Sequence, residues 1–461
     1  MKFRRSEVQR QAHAIPELKF EKQALTSYSG LVLFQQLFAR LNLKARLRTC
    51  FRHQAGGKVF GRATIFLQLL VHVLLGFRDL RDSRTYRDDP LVRRVLGLQR
   101  LPDVATLSRM LKHADPRSAE NLRRLLRELL FERLAVLDLA RLTLDFDGSV
   151  LSTRRHAEGT AVGYNKKRKG NRSYYPLFCT IAQTGQVLDF LHRSGNVHDS
   201  NGARTFILAC IQEVREALPD TAIEVRMDSA FFSDEIIAIL HAWRVDFTVS
   251  VPFERFAELK AMIESRRRWR RRLNGAVSYF ETTWKPKCWE DGFRFVFVRT
   301  RARQVYKGPI QLDLFVPHEY GYEFKVIVTN KKVQVDTVVA YHEGRGAQEG
   351  IFGELKTYCQ MGYVPVRTWV GNQLYLLAGL FAHNLTREFQ MATTPPERKT
   401  SIQRTTLWAF EKLDTLRNTL LHRAGRLTRP RGVLTLTLNA NAWLRQYMPR
   451  LLQALQVSKA A

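Results

Sequence analysis

Little in this chain suits soft-metal or redox chemistry. Its five cysteines, Cys50, Cys179, Cys210, Cys288 and Cys359, lie far apart, and no two form a Cys-x-x-Cys pair. That spacing argues against a zinc site and a disulfide framework, and it fits a reducing compartment. Long apolar runs are missing too. The longest, residues 65–77, is broken by Gln68 and His72. A run of about 13 residues is too short to span a bilayer, so a buried helix is expected there. The basic start, Met1-Lys2-Phe3-Arg4-Arg5-Ser6, lacks the apolar stretch of a signal peptide behind it. Together these absences predict a soluble, cytoplasmic protein without a membrane partner.

Negative charge is also scarce. Asp and Glu number 43 against 74 Lys and Arg, a net charge of +31 spread over all 461 residues. A charge of that sign and size points to a polyanionic partner, most simply nucleic acid. Hydrophobic residues at 45% and charged residues at 25% are otherwise those of an ordinary globular protein, long enough for two or three domains.

Residues 1–138 read as a helical N-terminal DNA-binding region, with apolar residues at helical spacing over 30–38, 65–77 and 121–134. Pro102-Asp103-Val104-Ala105-Thr106 reads as a turn entering a helix, with Thr106 or Asp103 as the N-cap. With the preceding helix it forms either a helix-turn-helix that presents Ser108, Arg109 and Lys112 to DNA or an ordinary helical pair. The pattern changes at Leu142. Strands are expected over 142–147, 174–181 and 187–192, the last two joined by a Gln183-Thr184-Gly185-Gln186 turn. A helix (201–218), a strand (222–227), a helix (233–243) and a strand (245–251) complete the first part of a mixed α/β core, residues 139–251.

Residues 252–322 read as a β-rich insertion, in which a helix carrying the arginine run 266–272 leads into β-like runs at 277–284 and 293–299. The core resumes over 323–392 with a strand at 324–329, a helix bearing Glu349 and an apolar helix over 374–385. Residues 393–461 are basic and expected to be helical beyond Leu416. The expected fold is thus α/β, a mixed-sheet core with a β-rich insertion and helical flanks.

Three acids stand out. Asp147, in Asp145-Phe146-Asp147-Gly148-Ser149, ends the first core strand, and Asp228, in Arg226-Met227-Asp228-Ser229, ends another. Carboxylates at strand C-termini project into the crevice where open α/β sheets bind ligands. Glu349 lies between Arg345 and Lys356 at offsets of four and seven residues. At about 100° per residue these three share a helical face. Three carboxylates without nearby His or Cys favour a hard cation, Mg²⁺ or Mn²⁺. Two such ions about 3.5–4 Å apart activate a water or 3′-hydroxyl and stabilise the leaving oxygen of a phosphodiester. Arg345 and Lys356 then serve the phosphate oxygens.

These residues resemble the DDE transposases of bacterial insertion sequences, in particular the insertion sequence 1380 family, over roughly residues 25–390. Asp147-Gly148-Ser149 looks like the first-aspartate motif, and Arg226-Met227-Asp228-Ser229-Ala230-Phe231-Phe232 like the second. Arg345, Glu349 and Lys356 match the signature Tyr-x-x-Arg-x-x-x-Glu-x-x-x-x-x-x-Lys. Its tyrosine belongs at His342, whereas Tyr341 is one place early. Gly163-Tyr164-Asn165, Tyr174-Tyr175-Pro176-Leu177 and Gly195-Asn196-Val197-His198 resemble intervening segments of such proteins.

The resemblance implies a ribonuclease H-like core with metal ligands Asp147, Asp228 and Glu349. It further implies binding of the element's terminal inverted repeats, cleavage and strand transfer into target DNA, and a synaptic homodimer at the bacterial nucleoid. Two rivals use the same residues: a metal-dependent nuclease without strand transfer, and an inactive DNA-binding derivative.

Four assignments stay open on sequence. Asp145 lies on the same side of its strand as Asp147 and competes for the first position. Arg268 and its neighbours around Trp269 either grip phosphates or form a solvated basic helix. Trp284 and Trp289 either hold an extruded base or fill a core. Lys166, in Lys166-Lys167-Arg168-Lys169, is either a DNA-backbone contact or part of a charged loop.

Overall fold

A computed structural model of the chain describes residues 15–54, 57, 59–163, 165, 168–198, 201–271, 277–301 and 321–456. The N-terminal part is helical: α1 (Leu31–Arg40), α2 (Leu43–Cys50), α3 (Arg62–Leu74), α4 (Pro90–Leu96), α5 (Val104–Lys112) and α6 (Pro116–Leu137). The last three begin at aspartates whose carboxylates accept from backbone amides left unpaired by the first turn. Asp103 accepts from Thr106 N at 2.7 Å, so it is the cap of α5. Asp89 and Asp115 cap α4 and α6, each followed by a proline that fits the first helical position. The apolar run 65–77 becomes α3 and is buried from Ile65 to Leu74. Its two polar members are paired: Gln68 donates to the Pro102 carbonyl at 3.3 Å, and His72 Nδ1 lies 3.0 Å from the Tyr86 hydroxyl. Among the described residues no helix is long and apolar enough to cross a membrane.

The central sheet contains β1 (Arg141–Gly148), β2 (Leu177–Ile181), β3 (Val187–Leu191), β4 (Ala222–Met227), β5 (Asp246–Val251), β6 (Val277–Trp284), β7 (Phe293–Arg301) and β8 (Tyr322–Thr329). Its order is β6-β7-β8-β5-β4-β1-β2-β3, with the two-residue strand Arg270–Arg271 outside β6. β4 runs parallel to both β1 and β5, and the other pairs are antiparallel. The strands of region 252–322 therefore extend the central sheet. The expected strand 174–181 is split: Pro176 offers no amide to a ladder, so Arg172–Tyr174 joins a small separate sheet and β2 starts at Leu177.

Alternation gives the central strands two unlike faces. Leu142, Leu144 and Phe146 of β1, Ile223, Val225 and Met227 of β4, and Phe247, Val249 and Val251 of β5 enter one apolar core. The helices α7 (Ala203–Ala217), α8 (Asp234–Ala242) and α9 (Ala257–Ser265) supply its other side. Between those residues stand Thr143, Asp145 and Asp147, then Glu224 and Arg226, then Thr248 and Ser250. This polar face meets α10 (Val335–Glu343), the 3₁₀ turn Gly344–Gly346, and α11 (Ala347–Thr357). The buried 25-residue helix α12 (Trp369–Thr393) packs on α3, α5 and α6 in a second apolar core.

Two expectations need correction. The described part of the arginine run, residues 266–271, is not helical: α9 stops at Ser265, and Arg266 Nε donates to the Arg268 carbonyl at 3.0 Å. Consecutive cations repel along a helix, and extended backbone spreads them. The tail beyond Leu416 is not wholly helical either. Gly425–Thr428 and Thr435–Leu438 form a hairpin that pairs with Leu25–Thr26, before α13 (Ala442–Gln456) packs on α1. The alternation Leu434-Thr435-Leu436-Thr437-Leu438 carries that strand signal in the sequence.

Candidate active site

Parallel pairing of β1 and β4 sets the site. The register matches Asp145 with Arg226 and Phe146 with Met227, so the next residue on each strand is Asp147 and Asp228. The two acids leave the C-terminal ends of neighbouring strands, as open α/β sheets place ligand-binding groups. Asp147 Oδ1 accepts from its neighbour Gly148 N at 2.7 Å, and Oδ2 faces Arg345 Nη1 at 3.3 Å. Asp228 Oδ1 accepts from Ala230 N at 3.0 Å and caps the 3₁₀ turn Ser229–Phe231.

Arg345 does not share a continuous face with Glu349 and Lys356. It lies in the 3₁₀ turn between α10 and α11, and this tighter winding turns its side chain onto Asp147. Glu349 and Lys356 remain on the exposed side of α11. The buried side carries Gln348, Ile351, Phe352, Glu354 and Leu355. Gln348 Nε2 donates to the Asp145 carbonyl at 2.9 Å, Phe352 packs on Phe178 of β2, and Glu354 pairs with Arg387 of α12. Glu349 is thus adjacent to the residue that ties α11 to β1. Among the described residues, no group of three His, Cys, Asp or Glu is placed to hold a metal ion. The donor chemistry still suits a hard cation: oxygen acids at two strand ends, with an arginine already balancing one of them.

Asp145 has another role. Its carboxylate receives Arg226 Nε at 2.6 Å and Nη2 at 2.7 Å, both side chains being almost wholly buried. Burial works against the Arg226 cation, but Asp145 outweighs it and holds the guanidinium pKa above its ordinary value. Arg226 stands two residues before Asp228 in the second-aspartate motif, which by itself assigns it no role. The period of two was the available signal, since Arg226 had to face the same side as an acid across the ladder.

Tyr341 is buried, its ring 4.4 Å from Lys331 Nζ and 5.2 Å from the Arg226 guanidinium carbon. Burial raises its phenol well above the ordinary range. His342, at the expected tyrosine position, lies 2.8 Å from Ser250 Oγ and 2.9 Å from Thr248 Oγ1. Burial drives its pKa well below the usual value, so it is a neutral core residue.

A protein-family model described as "Transposase DDE domain group 1" matches residues 11–460. The chain belongs to this family. It is a DNA transposase, an enzyme that cleaves DNA and transfers strands, with the family's dependence on divalent metal. No curated protein matches the chain. Among solved structures, a piggyBac transposase synaptic complex with hairpin DNA is similar at 11% identity and a TM-score of 0.43, over 86% of this chain and 80% of that one. A Mos1 mariner paired-end complex with Mn is similar at 10% identity and a TM-score of 0.17, over 53% and 70%. A Mos1 paired-end complex with the left transposon end shows 9% identity and a TM-score of 0.17, over 42% and 60%.

In the transposase the other described candidates have surroundings of their own. Arg268 is exposed. Trp284 is half-buried, donates to Glu258 at 2.8 Å and packs edge-on against Phe295. Trp289 is a core residue, buried against Phe232 and Phe293. Lys166 lies outside the described residues. In the N-terminal region Arg109 and Lys112 are exposed on α5, while Ser108 is half-buried.

Proposed function

We propose that Asp147, Asp228 and Glu349 are the catalytic acids and hold the divalent ions, two Mg²⁺ or Mn²⁺, on a ribonuclease H-like core. The reading rests above all on the paired strands β1 and β4, which end side by side in Asp147 and Asp228. Glu349 stands on a helix anchored to the same strand through Gln348. Divalent ions bound by these acids supply an activated hydroxyl nucleophile and a stabilised leaving oxygen.

The protein's own cations serve the DNA. Arg345 presents a planar fork and Lys356 a point charge to the phosphate being cut. Arg268 and Lys166 serve as contacts to the DNA backbone, Trp284 offers an aromatic surface to a displaced base, and α5 carries Arg109 and Lys112 to the duplex. The motif spacing suits the insertion sequence 1380 family, so the substrates would be the element's terminal inverted repeats and a target duplex. They would be joined in a synaptic homodimer near the nucleoid.

Replacing Glu349 by Gln tests the assignment, because it removes a ligand's charge with little change of shape. The variant is expected to bind DNA as the parent does and to lose Mg²⁺-dependent cleavage and the joining of pre-cut 3′ ends. Normal cutting by the variant refutes the acid assignment.

A further inference from the structure

We propose that Arg226 is a positioning residue that fixes the α10–α11 connection, which carries Arg345 and leads into the helix of Glu349, to the two aspartate strands. The proposal deepens the active-site reading above and rests on it. Arg226 lies on β4 and Asp145 on β1, directly opposed in the parallel register and each two residues before a proposed metal ligand. Their two-pronged pair locks the strand ends that present Asp147 and Asp228.

The same guanidinium reaches two other segments. Its Nη1 donates to the Tyr341 carbonyl at 2.9 Å, in the last turns of α10, and to the Gln403 carbonyl at 2.7 Å. Four segments far apart in sequence therefore meet on one side chain: β1, β4, the C-terminal end of α10, and the C-terminal segment 401–407. Gly344 shows how tightly the connection is seated. A Cβ on Gly344 would lie 1.9 Å from the Gln403 carbonyl oxygen and 2.2 Å from Arg226 Nη1. Only glycine lets the backbone press onto the guanidinium there. The next residue is Arg345, which faces Asp147.

The C-terminal segment is bound in along its length. Arg404 donates to Glu224 of β4 at 2.8 and 3.1 Å, and Leu407 N donates to the Gln183 carbonyl at 2.8 Å. Residues 401–407 thus brace the polar face of the sheet instead of forming a detached basic tail. Lysine could supply the charge of Arg226, but not a planar fork together with two carbonyl bonds.

The test uses the full chain with two variants. Arg226→Lys keeps the charge. The pair Asp145→Leu with Arg226→Met removes both charges together, since a buried ion pair is often replaceable by apolar residues whereas one unpaired charge is not. Backbone hydrogen exchange over residues 341–350 is expected to accelerate about tenfold or more in both, while β4 amides stay protected. Plasmid nicking in Mn²⁺ is expected to fall about 100-fold in the double variant, as for other displacements of about 1 Å at a catalytic group. The Mn²⁺ concentration for half-maximal nicking should rise, and binding to a mixed-sequence duplex should persist.

Parental exchange over 341–350 overturns the proposal, whatever the nicking rate. Should the double variant fail to fold, Arg226→Lys decides by the same exchange measurement. Glu349→Gln, run in parallel, reports on the acids separately. If it nicks normally, the acid assignment falls, and exchange alone still judges the role of Arg226.

Discussion

Arg345 Nη1 stands 3.3 Å from Asp147 Oδ2, each side chain about one-fifth exposed. In this arrangement an arginine provides the positive charge beside the acid that is proposed to hold metal. Phosphate and carboxylate compete for the same guanidinium, so a DNA phosphate that draws Arg345 away would leave Asp147 to the metal. Arg345→Gln should therefore bind Mn²⁺ more tightly without DNA. A partly exposed pair of this kind is worth up to about 1 kcal/mol, or roughly fivefold in affinity. Titration followed by Mn²⁺ electron paramagnetic resonance measures it. Unchanged or weaker binding would show that the pair does not compete with metal.

Two glycines of the same region should respond oppositely to alanine. At Gly344 a methyl group meets backbone and Arg226 at under 2.5 Å. Overpacking there should destabilise the fold by about 1–3 kcal/mol. At Gly353, on the exposed side of α11, an added Cβ meets nothing within 4 Å. Alanine in a helix interior is favoured over glycine by up to about 1 kcal/mol, so Gly353→Ala should be stabilising. Thermal unfolding of the two variants should shift in opposite directions from the parent.

Acid should weaken the fold through buried histidines. His192 packs against Tyr174 and Trp369, and neither ring nitrogen has a hydrogen-bond partner among the described residues. Burial pulls its pKa down to about 3 and those of His72 and His383 to about 4, from 6.5. Below pH 6.5 the unfolded chain takes up protons that the folded chain refuses. Their stabilising contribution is therefore complete above 6.5 and shrinks as pH falls toward those lowered values, by about 1.4 kcal/mol per pH unit for each histidine. The melting temperature should drop between pH 6.5 and 4.5, and less so in His192→Phe. Equal slopes in parent and variant would exclude His192 as a contributor.

Arg268 and Trp289 should separate DNA contact from packing. Removing exposed Arg268 should leave stability unchanged and flatten the dependence of log affinity on log salt by about one ion. Trp289→Ala should cost about 3–5 kcal/mol, because it empties a core position between Phe232 and Phe293. Fluorescence anisotropy at several salt concentrations and denaturant melts distinguish the two. An Arg268→Ala variant with the parental salt slope is not a DNA-contact variant.

By itself, the sequence determined what local chemistry and period dictate. The alternation in β1 and β4 marked strands whose apolar halves needed a core, and Asp147 and Asp228 closed them. The apolar spacing of α3 and α12 marked buried helices, and the excess of positive charge pointed to DNA. Other features depend on partners distant in the chain. Pairing β1 directly with β4 turned two separate motifs into neighbouring acids, and the long-range bonds of Arg226 gave Asp145 a structural role. The register of α11 left Glu349 exposed beside a buried Gln348, and a 3₁₀ turn sent Arg345 to Asp147. A local pattern fixes which side of an element a residue takes, but only the packed fold decides what waits on that side.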